Sequence, residues 1–173
     1  MKRNDDQTEN IFGAVVIMVS DRLRSCFADT ANRSLPSAAA LISLHGFPDL
    51  TIGELAATLA LSHSATVRLV DALEADRLLA RRSTQDGRVV QLRLTAAGKR
   101  LATHYQKQRA QLLRGALAGL SAEDRTALAR ISDLLVRNLV STPSQADTAC
   151  RFCDERVCPP NSCPVELTVA SDR

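Results

Sequence analysis

Apolar residues recur at helical spacing along most of the chain, which predicts a mainly α-helical protein. Residues 10 to 29 carry apolar side chains on two faces of one helix. A helix that is apolar on two faces needs two partners, so we expect one face to pack on the protein's own core and the other on a second subunit. A second helix is predicted from about residue 36 to 45, after which Gly46 and Pro48 break the pattern.

Two short helices follow, and residues that cap helices mark where each begins. Thr51 and Glu54 have the spacing of a capping box, in which the hydroxyl and the carboxylate satisfy free amides of the first turn. This helix must end near Ala60, and Ser62 can cap the next one. Two short helices joined by a tight turn form a helix-turn-helix unit.

The second helix of that unit has a small, polar face opposite its buried stripe. Such a face can approach base edges closely in a major groove. The candidate DNA contacts on it are Ser62, His63, Ser64, Val67 and Arg68.

The pattern changes to a period of two over residues 89 to 94, which is typical of a strand buried on one side. Residues 79 to 83 can return as its partner, because Asp86 and Gly87 supply a turn between the two. The result is a β-hairpin beside the recognition helix, a wing, with Arg88 at its tip. An arginine there can enter the narrow, strongly negative minor groove.

Two longer helices complete the pattern. Thr95 caps one that runs to about residue 117, and Ser121 with Asp124 starts another that extends to Leu139. The predicted fold is therefore mainly α with a small β-hairpin wing. The expected organisation is a disordered N-terminus (1–9), dimerisation helices (10–34 and 100–140), a winged helix-turn-helix DNA-binding domain (35–99), a linker (141–149) and a Cys-rich tail (150–173).

The charge distribution supports a nucleic-acid partner. Between residues 77 and 100, seven basic residues stand against the single acid Asp86, although the whole chain carries only +3. A basic block of this kind is typical of a surface that meets phosphates. We expect Arg81, Arg82 and Arg93 to serve phosphates or intrachain pairs, and Asp86 to hold the wing turn or Arg88.

Other classes of protein are disfavoured. The apolar run over residues 11 to 19 is much shorter than the roughly 20 residues of a membrane span, and acids precede it, so we expect a cytoplasmic protein with no membrane partner. The 173 residues, 45% of them apolar, suffice for one ordinary core. No catalytic triad, glycine-rich phosphate loop or paired carboxylates stand out, so we expect neither an enzyme nor an organic cofactor.

From residue 41 to 101 the sequence resembles the multiple antibiotic resistance regulator (MarR) family. The resemblance lies in "ELAATLALS", "VRLVDALEADRLLARR" and "DGRVVQLRLTAAGKRL", with Asp86, Arg88, Leu94, Thr95 and Gly98 at the family's spacing. It implies an obligate homodimer whose recognition helices enter successive major grooves of a pseudo-palindromic double-stranded DNA operator. It also implies a small, often aromatic or anionic effector in the crevice between dimerisation helices and winged domain. We expect a repressor that such an effector releases from DNA.

Two positions depart from the family's pattern. Arg77 stands where the family usually has glycine at the end of the recognition helix, and Val67 stands where a threonine often faces the bases. A valine there favours contact with a thymine methyl over hydrogen bonding, so the operator cannot be inferred from the family.

The segment "CRFCDERVCPPNSCPVE" holds four of the five cysteines. Their C-x2-C-x4-C-x4-C spacing is similar to a zinc knuckle with cysteine in place of its histidine, and in a reducing compartment such a cluster is more often a metal site than a set of structural disulfides. We therefore expect Zn²⁺ in a structural or sensing clip on the dimerisation region. The expected ligands are Cys150, Cys153, Cys158 and Cys163.

Other interpretations of these cysteines stay open. They are a redox-active disulfide, an iron–sulfur cluster and an unliganded tail. The alternative function is accordingly a metal- or redox-responsive regulator with the cysteines as its sensor. A dithiol oxidoreductase is suggested only by the CxxC at Cys150 and Cys153, and no βαβ pattern precedes it. Cys26 is expected to be a small buried apolar residue.

Overall fold

The computed structural model describes the backbone of residues 2–31, 33–84, 89–158 and 162–170. Over these ranges it is mainly helical with one two-stranded antiparallel hairpin, as the sequence predicts. The elements are α1 (Lys2–Ala31), α2 (Leu35–Gly46), α3 (Ile52–Leu59), α4 (His63–Ala75), β1 (Leu79–Ser83), β2 (Val90–Leu94), α5 (Ala96–Ala116), α6 (Ala122–Leu139), α7 (Pro143–Cys150) and α8 (Pro164–Val169).

The helix-turn-helix is bounded by the caps that the sequence predicts. The Glu54 amide donates to the Thr51 hydroxyl at 3.3 Å, and the Thr51 amide donates to the Glu54 carboxylate at 2.7 Å. Helix α3 ends at Ala60, which adopts the left-handed conformation with φ 52°. Helix α4 then starts at Ser62, whose hydroxyl accepts from the Ala65 amide at 3.2 Å. These local bonds fix the angle at which α4 leaves the turn.

The hairpin is attached directly to the helix-turn-helix. Leu79 lies opposite Leu94, and the Leu92 amide donates to the Leu50 carbonyl at 2.8 Å. Leu79 and Leu92 are buried, but Val90 is 41% exposed, although the alternation of the strand predicted a buried residue. Val90 pairs with Ser83 at the distal end of the strands, beyond the reach of the core.

The core is built around α2, which is buried along most of its length. Its apolar side chains pack with the end of α1, the middle of α5 and the inner faces of α3 and α4. Phe27 of α1 and Tyr105 of α5 are both buried here, with their ring centroids 5.3 Å apart in an edge-to-face arrangement. Helices α1 and α5 and the helices of the winged domain therefore meet in one packed core.

The start of α5 crosses close to the end of the recognition helix. A Cβ added at Gly98 would lie 2.0 Å from the Leu78 carbonyl oxygen, so only glycine fits there. The Thr95 amide and hydroxyl both donate to this connection, at 3.0 Å to Leu78 and 2.7 Å to the Arg77 carbonyl. Arg77 itself has φ 58°, the left-handed conformation that explains why glycine is usual at this position.

Two segments differ from the sequence-based expectation. Helix α1 begins at Lys2, whereas residues 1–9 were expected to be disordered; residues 2–10 contain no glycine or proline, so the helix continues upstream. Residues 141–149, expected to be a linker, contain most of α7. Thr142 and Gln145 form a capping box around Pro143, which is well tolerated in the first helical turn. In residues 141–149 the capping residues therefore favour a helix more strongly than the polar composition disfavours one.

Helices α1 and α6 carry large apolar side chains that the described chain leaves exposed. Helix α6 has no buried residue at all along its length. The exposed residues, which we call the α1/α6 apolar surface, are Ile11, Phe12, Val15, Val16, Ile17 and Met18 on α1 and Leu128, Ile131, Leu134 and Leu139 on α6. Within the described residues, no helix is both long and apolar enough to cross a membrane.

Candidate nucleic-acid interface

Helix α4 has one anchored face and one open face. Thr66, Val70 and Leu73 are fully buried against the core, and the Thr66 hydroxyl donates to the Ser62 carbonyl at 3.0 Å. The candidate DNA contacts lie on the other side. Ser62, His63, Ser64 and Arg68 are exposed, and Val67 is half-buried between the two faces.

Burial of one side therefore fixes which side chains α4 presents to solvent. Ser62 and Ser64 are small, with their hydroxyl oxygens 3.3 Å apart, so the helix backbone is accessible at its N-terminal end. Arg68 makes no ion pair with any residue that the structure describes, which leaves its guanidinium available to a phosphate or a base. This face has the shape and chemistry of a major-groove reader.

Two of the candidate arginines are engaged within the chain. Arg81 pairs with Asp71 at 2.7 Å and with Glu74, so it ties the first strand of the wing to the recognition helix. Arg93 pairs in the same manner with Asp49, with 2.7 Å between Nη2 and Oδ2. The Arg81 pairs fix the first strand of the wing relative to α4, and the Arg93 pair ties the second strand to the connection between α2 and α3. Intrachain pairs were predicted as one option for both arginines, but their partners were not identified from the sequence. Asp49 lies 44 residues from Arg93 in the chain, and nothing local marks Glu74 as the partner of Arg81.

Electrostatics support this arrangement. The hydrogen bond from Arg93 lowers the pKa of the Asp49 carboxyl below its ordinary value, and the charges of Arg93 and Arg82 lower it further. Arg82 is exposed beside this pair. Asp86 and Arg88 lie outside the described residues. The described part of the wing closes with the Thr84 amide donating to the Val89 carbonyl at 2.9 Å.

Comparison with known proteins agrees with the geometry. A family model described as MarR family matches residues 32–89, which include α2, the whole helix-turn-helix and the first strand of the wing. A MarR family protein from Bacillus stearothermophilus superposes with a TM-score of 0.70 at 27% identity, covering 80% of this chain and 96% of its own. Residues 32–89 thus match the MarR family, and the winged helix-turn-helix domain that contains most of them is referred to below as the MarR-family domain.

Two further solved structures share the fold of this MarR-family domain and its flanking helices. YusO from Bacillus subtilis has a TM-score of 0.69 at 20% identity and covers 79% of this chain and 97% of its own. MepR, a transcription regulator of the Staphylococcus aureus multidrug efflux pump MepA, has a TM-score of 0.65 at 16% identity and covers 73% of this chain and 95% of its own. No curated protein matches the chain. MarR-family regulators bind DNA, typically act as dimers and are generally not enzymes.

The cysteine segment forms a second, smaller cluster beside the MarR-family domain. Cys150 is the last residue of α7, Cys153 lies in the turn that follows, and Cys163 precedes α8. Cys163 is buried with Val140, Ala146, Val165 and Val169, and Cys150 and Cys158 pack against the same cluster. The fold thus gathers cysteines that are spread over fourteen residues of sequence onto one small core.

The thiols within this segment are not equivalent. The Cys150 thiol donates a hydrogen bond to the Cys153 sulfur, which raises the pKa of Cys150 and, aided by the positive charge of Arg109, lowers the pKa of Cys153 to about 7 despite burial. The pKa of the Cys158 thiol is raised above its ordinary value. The main cause is burial, and the negative charges of the Cys153 and Cys163 thiolates add to it. Cys150 and Cys153 therefore shift each other's pKa, and Cys158 and Cys163 lie near them.

No tail cysteine forms a disulfide in the structure. In the part of the chain that the structure describes, no group of three or more His, Cys, Asp or Glu side chains is arranged to hold a metal ion. The Zn²⁺ site at Cys150, Cys153, Cys158 and Cys163 stays a prediction. Cys26 is half-buried at the edge of the main core, with its sulfur 3.8 Å from Gln108 Oε1.

The turn between Cys150 and Cys153 packs against α1, α2 and α5. Phe152 stacks on Phe27 with ring centroids 5.4 Å apart and an interplanar angle of 28°. The Ser43 hydroxyl of α2 donates to the Arg151 carbonyl, and the Gln106 side chain of α5 donates to the Cys153 carbonyl, both at 3.3 Å. This docking could not be predicted from the sequence, because a single aromatic residue in a polar segment gives no signal for it.

Proposed function

We propose that this protein is a homodimeric transcription regulator that binds a pseudo-palindromic operator through α4 and the wing. The observation that carries the proposal is the exposed face of α4, in which small polar residues and Arg68 surround an accessible helix start. The buried side of the same helix and the Arg81 pairs hold it rigidly against the wing. A rigid, polar, protruding helix is what base readout in a major groove requires.

The homodimer is proposed from the α1/α6 apolar surface. Isolated exposed apolar side chains are common, but a stripe on one helix face such as Ile11, Val15 and Met18, each at least 49% exposed, is unusual for a monomer. A two-fold dimer would bury the same surface on both copies. It would also place two recognition helices at a fixed separation, and about 34 Å, one turn of DNA, is required for successive major grooves.

Effector control is proposed from a cavity of about 430 Å³ at the junction of α1, α2 and the tail turn. Its walls are mainly apolar, and Arg24 and Arg151 add positive charge. That combination suits a small aromatic or anionic molecule. A ligand wedged there would change the angle between α1 and the winged domain and so the spacing of the recognition helices. We propose that such a ligand releases the regulator from DNA and that the regulator acts as a repressor.

The test is selection of bound duplexes from a random-sequence DNA pool with the full chain, followed by affinity measurement on the selected duplex across a salt titration. We expect an operator with two related half-sites and an affinity that falls steeply with salt as phosphate counterions are released. Failure to enrich any duplex, or enrichment of a single half-site by a monomer, would contradict the proposal.

A substitution on α4 sharpens this test. Arg68→Ala should weaken binding to the selected duplex by roughly tenfold, the loss expected for one base or phosphate contact of about 1–3 kcal/mol. The matched control is Arg114→Ala, which removes the same charge from an exposed position near the end of α5. Both variants should keep the wild-type helical circular dichroism. Equal affinity losses in the two variants would show that net charge, not α4, determines binding.

A further inference from the structure

A second cavity opens between the helix-turn-helix and the cysteine segment, on a different side of that segment from α1. Its volume is about 510 Å³, within the range of sites that hold drug-sized molecules. One wall is formed by the end of α2, the connection that follows it and α3, and the other by α7, the turns after it and α8. Because α7 packs directly against α3, docking of the cysteine segment encloses this space. We call it the α3/α7 cavity.

The walls of the α3/α7 cavity carry four carboxylates and one guanidinium. Asp147 on α7, Glu155 in the turns after it and Glu166 on α8 come from the cysteine segment, and Glu54 comes from α3. The Glu54 carboxylate is already used, because it accepts from the Thr51 amide in the capping box. The other three carboxylates make no ion pair with any residue that the structure describes.

The guanidinium belongs to Arg151 and is engaged elsewhere. It lies over the Phe152 ring, 5.2 Å from the ring centroid, and donates to the Thr148 carbonyl. Phe152 in turn stacks on Phe27 of α1, and Arg151 also lines the cavity beside that helix. The α3/α7 cavity therefore keeps an excess of negative charge that no described side chain neutralises.

The rest of the wall is mainly apolar. Phe47 at the end of α2 leaves 47% of its surface exposed, with Leu50 and Ala57 on the same wall. A Cβ added at the preceding residue, Gly46, would lie 3.0 Å from Glu155 Cγ, so the glycine leaves room for Glu155 at the end of α2 that bears Phe47. An open aromatic ring near carboxylates attracts a cation to the ring face and to the negative charges together.

We propose that the α3/α7 cavity binds an organic cation, a protonated or quaternary amine with an apolar or aromatic body. The charged group lies among Asp147, Glu155 and Glu166, and the body covers Phe47. Such a ligand offsets the repulsion between like charges and removes apolar surface from water. An inorganic cation would satisfy the carboxylates alone and leave the apolar wall exposed.

The proposed site goes beyond the DNA-binding function and does not depend on it. It differs in charge from the cavity beside α1, where Arg24 and Arg151 suit an anion. Half of its wall, residues 147 to 166, lies outside the residues that the family model matches. Because the ligand contacts both walls, it stabilises the docked cysteine segment by mass action.

The test uses the full chain and tetraphenylphosphonium, a permanently charged cation with an aromatic surface. Isothermal titration calorimetry in a sodium buffer should give one bound tetraphenylphosphonium per chain. At about ten times the dissociation constant, hydrogen exchange in peptides covering α3 and α7 should slow by roughly tenfold. Tetraphenylborate has the same size and shape with the opposite charge, and it should leave the exchange of these peptides unchanged.

Substitutions on the cavity wall separate the contributions of charge and ring. Asp147→Asn and Glu166→Gln should each weaken tetraphenylphosphonium binding by roughly fivefold, because each removes one negative charge. The matched control is Glu123→Gln, which removes an exposed carboxylate at the start of α6 and should bind like the wild type. Phe47→Ala should also weaken binding by roughly fivefold. Leu167→Ala, at a position 44% exposed but outside the cavity, should not.

Several outcomes would overturn the inference. Absence of tetraphenylphosphonium binding, or equal affinity in Glu166→Gln and Glu123→Gln, would show that the carboxylates recognise no organic cation. Exchange protection confined to α1 would place the ligand in the other cavity. Displacement of tetraphenylphosphonium by millimolar Mg²⁺, but not by sodium chloride of the same ionic strength, would identify an inorganic cation as the occupant. Each readout is independent of DNA, so failure to select a duplex would contradict only the proposed function.

Discussion

The winged domain and the cysteine segment are held together in different ways. The winged domain surrounds a large core in which Leu41, Leu55, Leu73 and Leu92 are fully buried, and every helix in it starts at a side-chain cap. Among the described residues, the segment from Val140 onward has a second core of five buried residues, one of them Cys163. It docks on the first core through one aromatic ring, a few hydrogen bonds and the packing of α7 against α3. A large core fixes geometry, while a small one can be shifted by a single chemical event.

The largest effect should come from breaking the winged domain at Gly98. Gly98→Ala places a methyl group 2.0 Å from the Leu78 carbonyl oxygen, and we expect a loss of about 3 kcal/mol of unfolding free energy because the backbone must separate. Urea unfolding followed by circular dichroism measures it.

Gly115→Ala is the control for that variant. It lies in the same helix with no atom within 4 Å of the added Cβ, so it should stabilise the protein by about 0.5–1 kcal/mol. Equal shifts of the urea midpoint in Gly98→Ala and Gly115→Ala would contradict the close approach of α5 to the Leu78 carbonyl.

A smaller effect, confined to the tail, is expected from Phe152→Ala. Losing the stack on Phe27 should weaken docking by about 1.4 kcal/mol, equivalent to roughly tenfold faster hydrogen exchange in peptides covering residues 143–158. Exchange in α4 should not change, since the main core keeps its own contacts.

Val157→Ala provides the comparison within the tail, because Val157 is 75% exposed and packs on little. It should leave exchange at the wild-type rate. Faster exchange throughout the winged domain in Phe152→Ala would show that the winged domain and the cysteine segment unfold as one cooperative unit and not separately.

The smallest expected effect is an increase in folding stability. Arg77→Gly relieves the left-handed φ of 58° at the end of the recognition helix, and we expect about 1 kcal/mol of added stability, offset in part by the greater entropy of glycine in the unfolded chain. Thermal unfolding measures the change. A destabilised Arg77→Gly would mean that the arginine side chain makes a stabilising contact that outweighs its backbone strain.

Local features of the winged domain could be predicted because each depends on residues only a few positions apart. The capping box of Thr51 and Glu54, the stop at Ala60 and the cap at Ser62 are all satisfied by neighbours in sequence. The hairpin register follows in the same way from alternation and a short turn. The same reasoning missed α7, because the polar composition of residues 141–149 was weighed above the caps that Thr142 and Gln145 provide.

Contacts between distant parts of the chain could not be predicted. No pattern around Arg93 indicates Asp49, and none around Arg81 separates an ion pair with Asp71 and Glu74 from a phosphate contact. In the same way, the spacing of the four cysteines is compatible with a metal site or a dithiol, since spacing alone does not say which sulfurs approach each other.

The sequence by itself determined the order and type of most elements, the caps that bound the recognition helix and the resemblance to the MarR family, because these depend on periodicity, caps and local motifs. Only the tertiary structure decided which arginines are paired, why glycine is required at position 98, and that the loop between Cys150 and Cys153 rests on Phe27. Those facts depend on how helices cross and on which side chains then meet, and packing in three dimensions is not encoded at any one position of the chain.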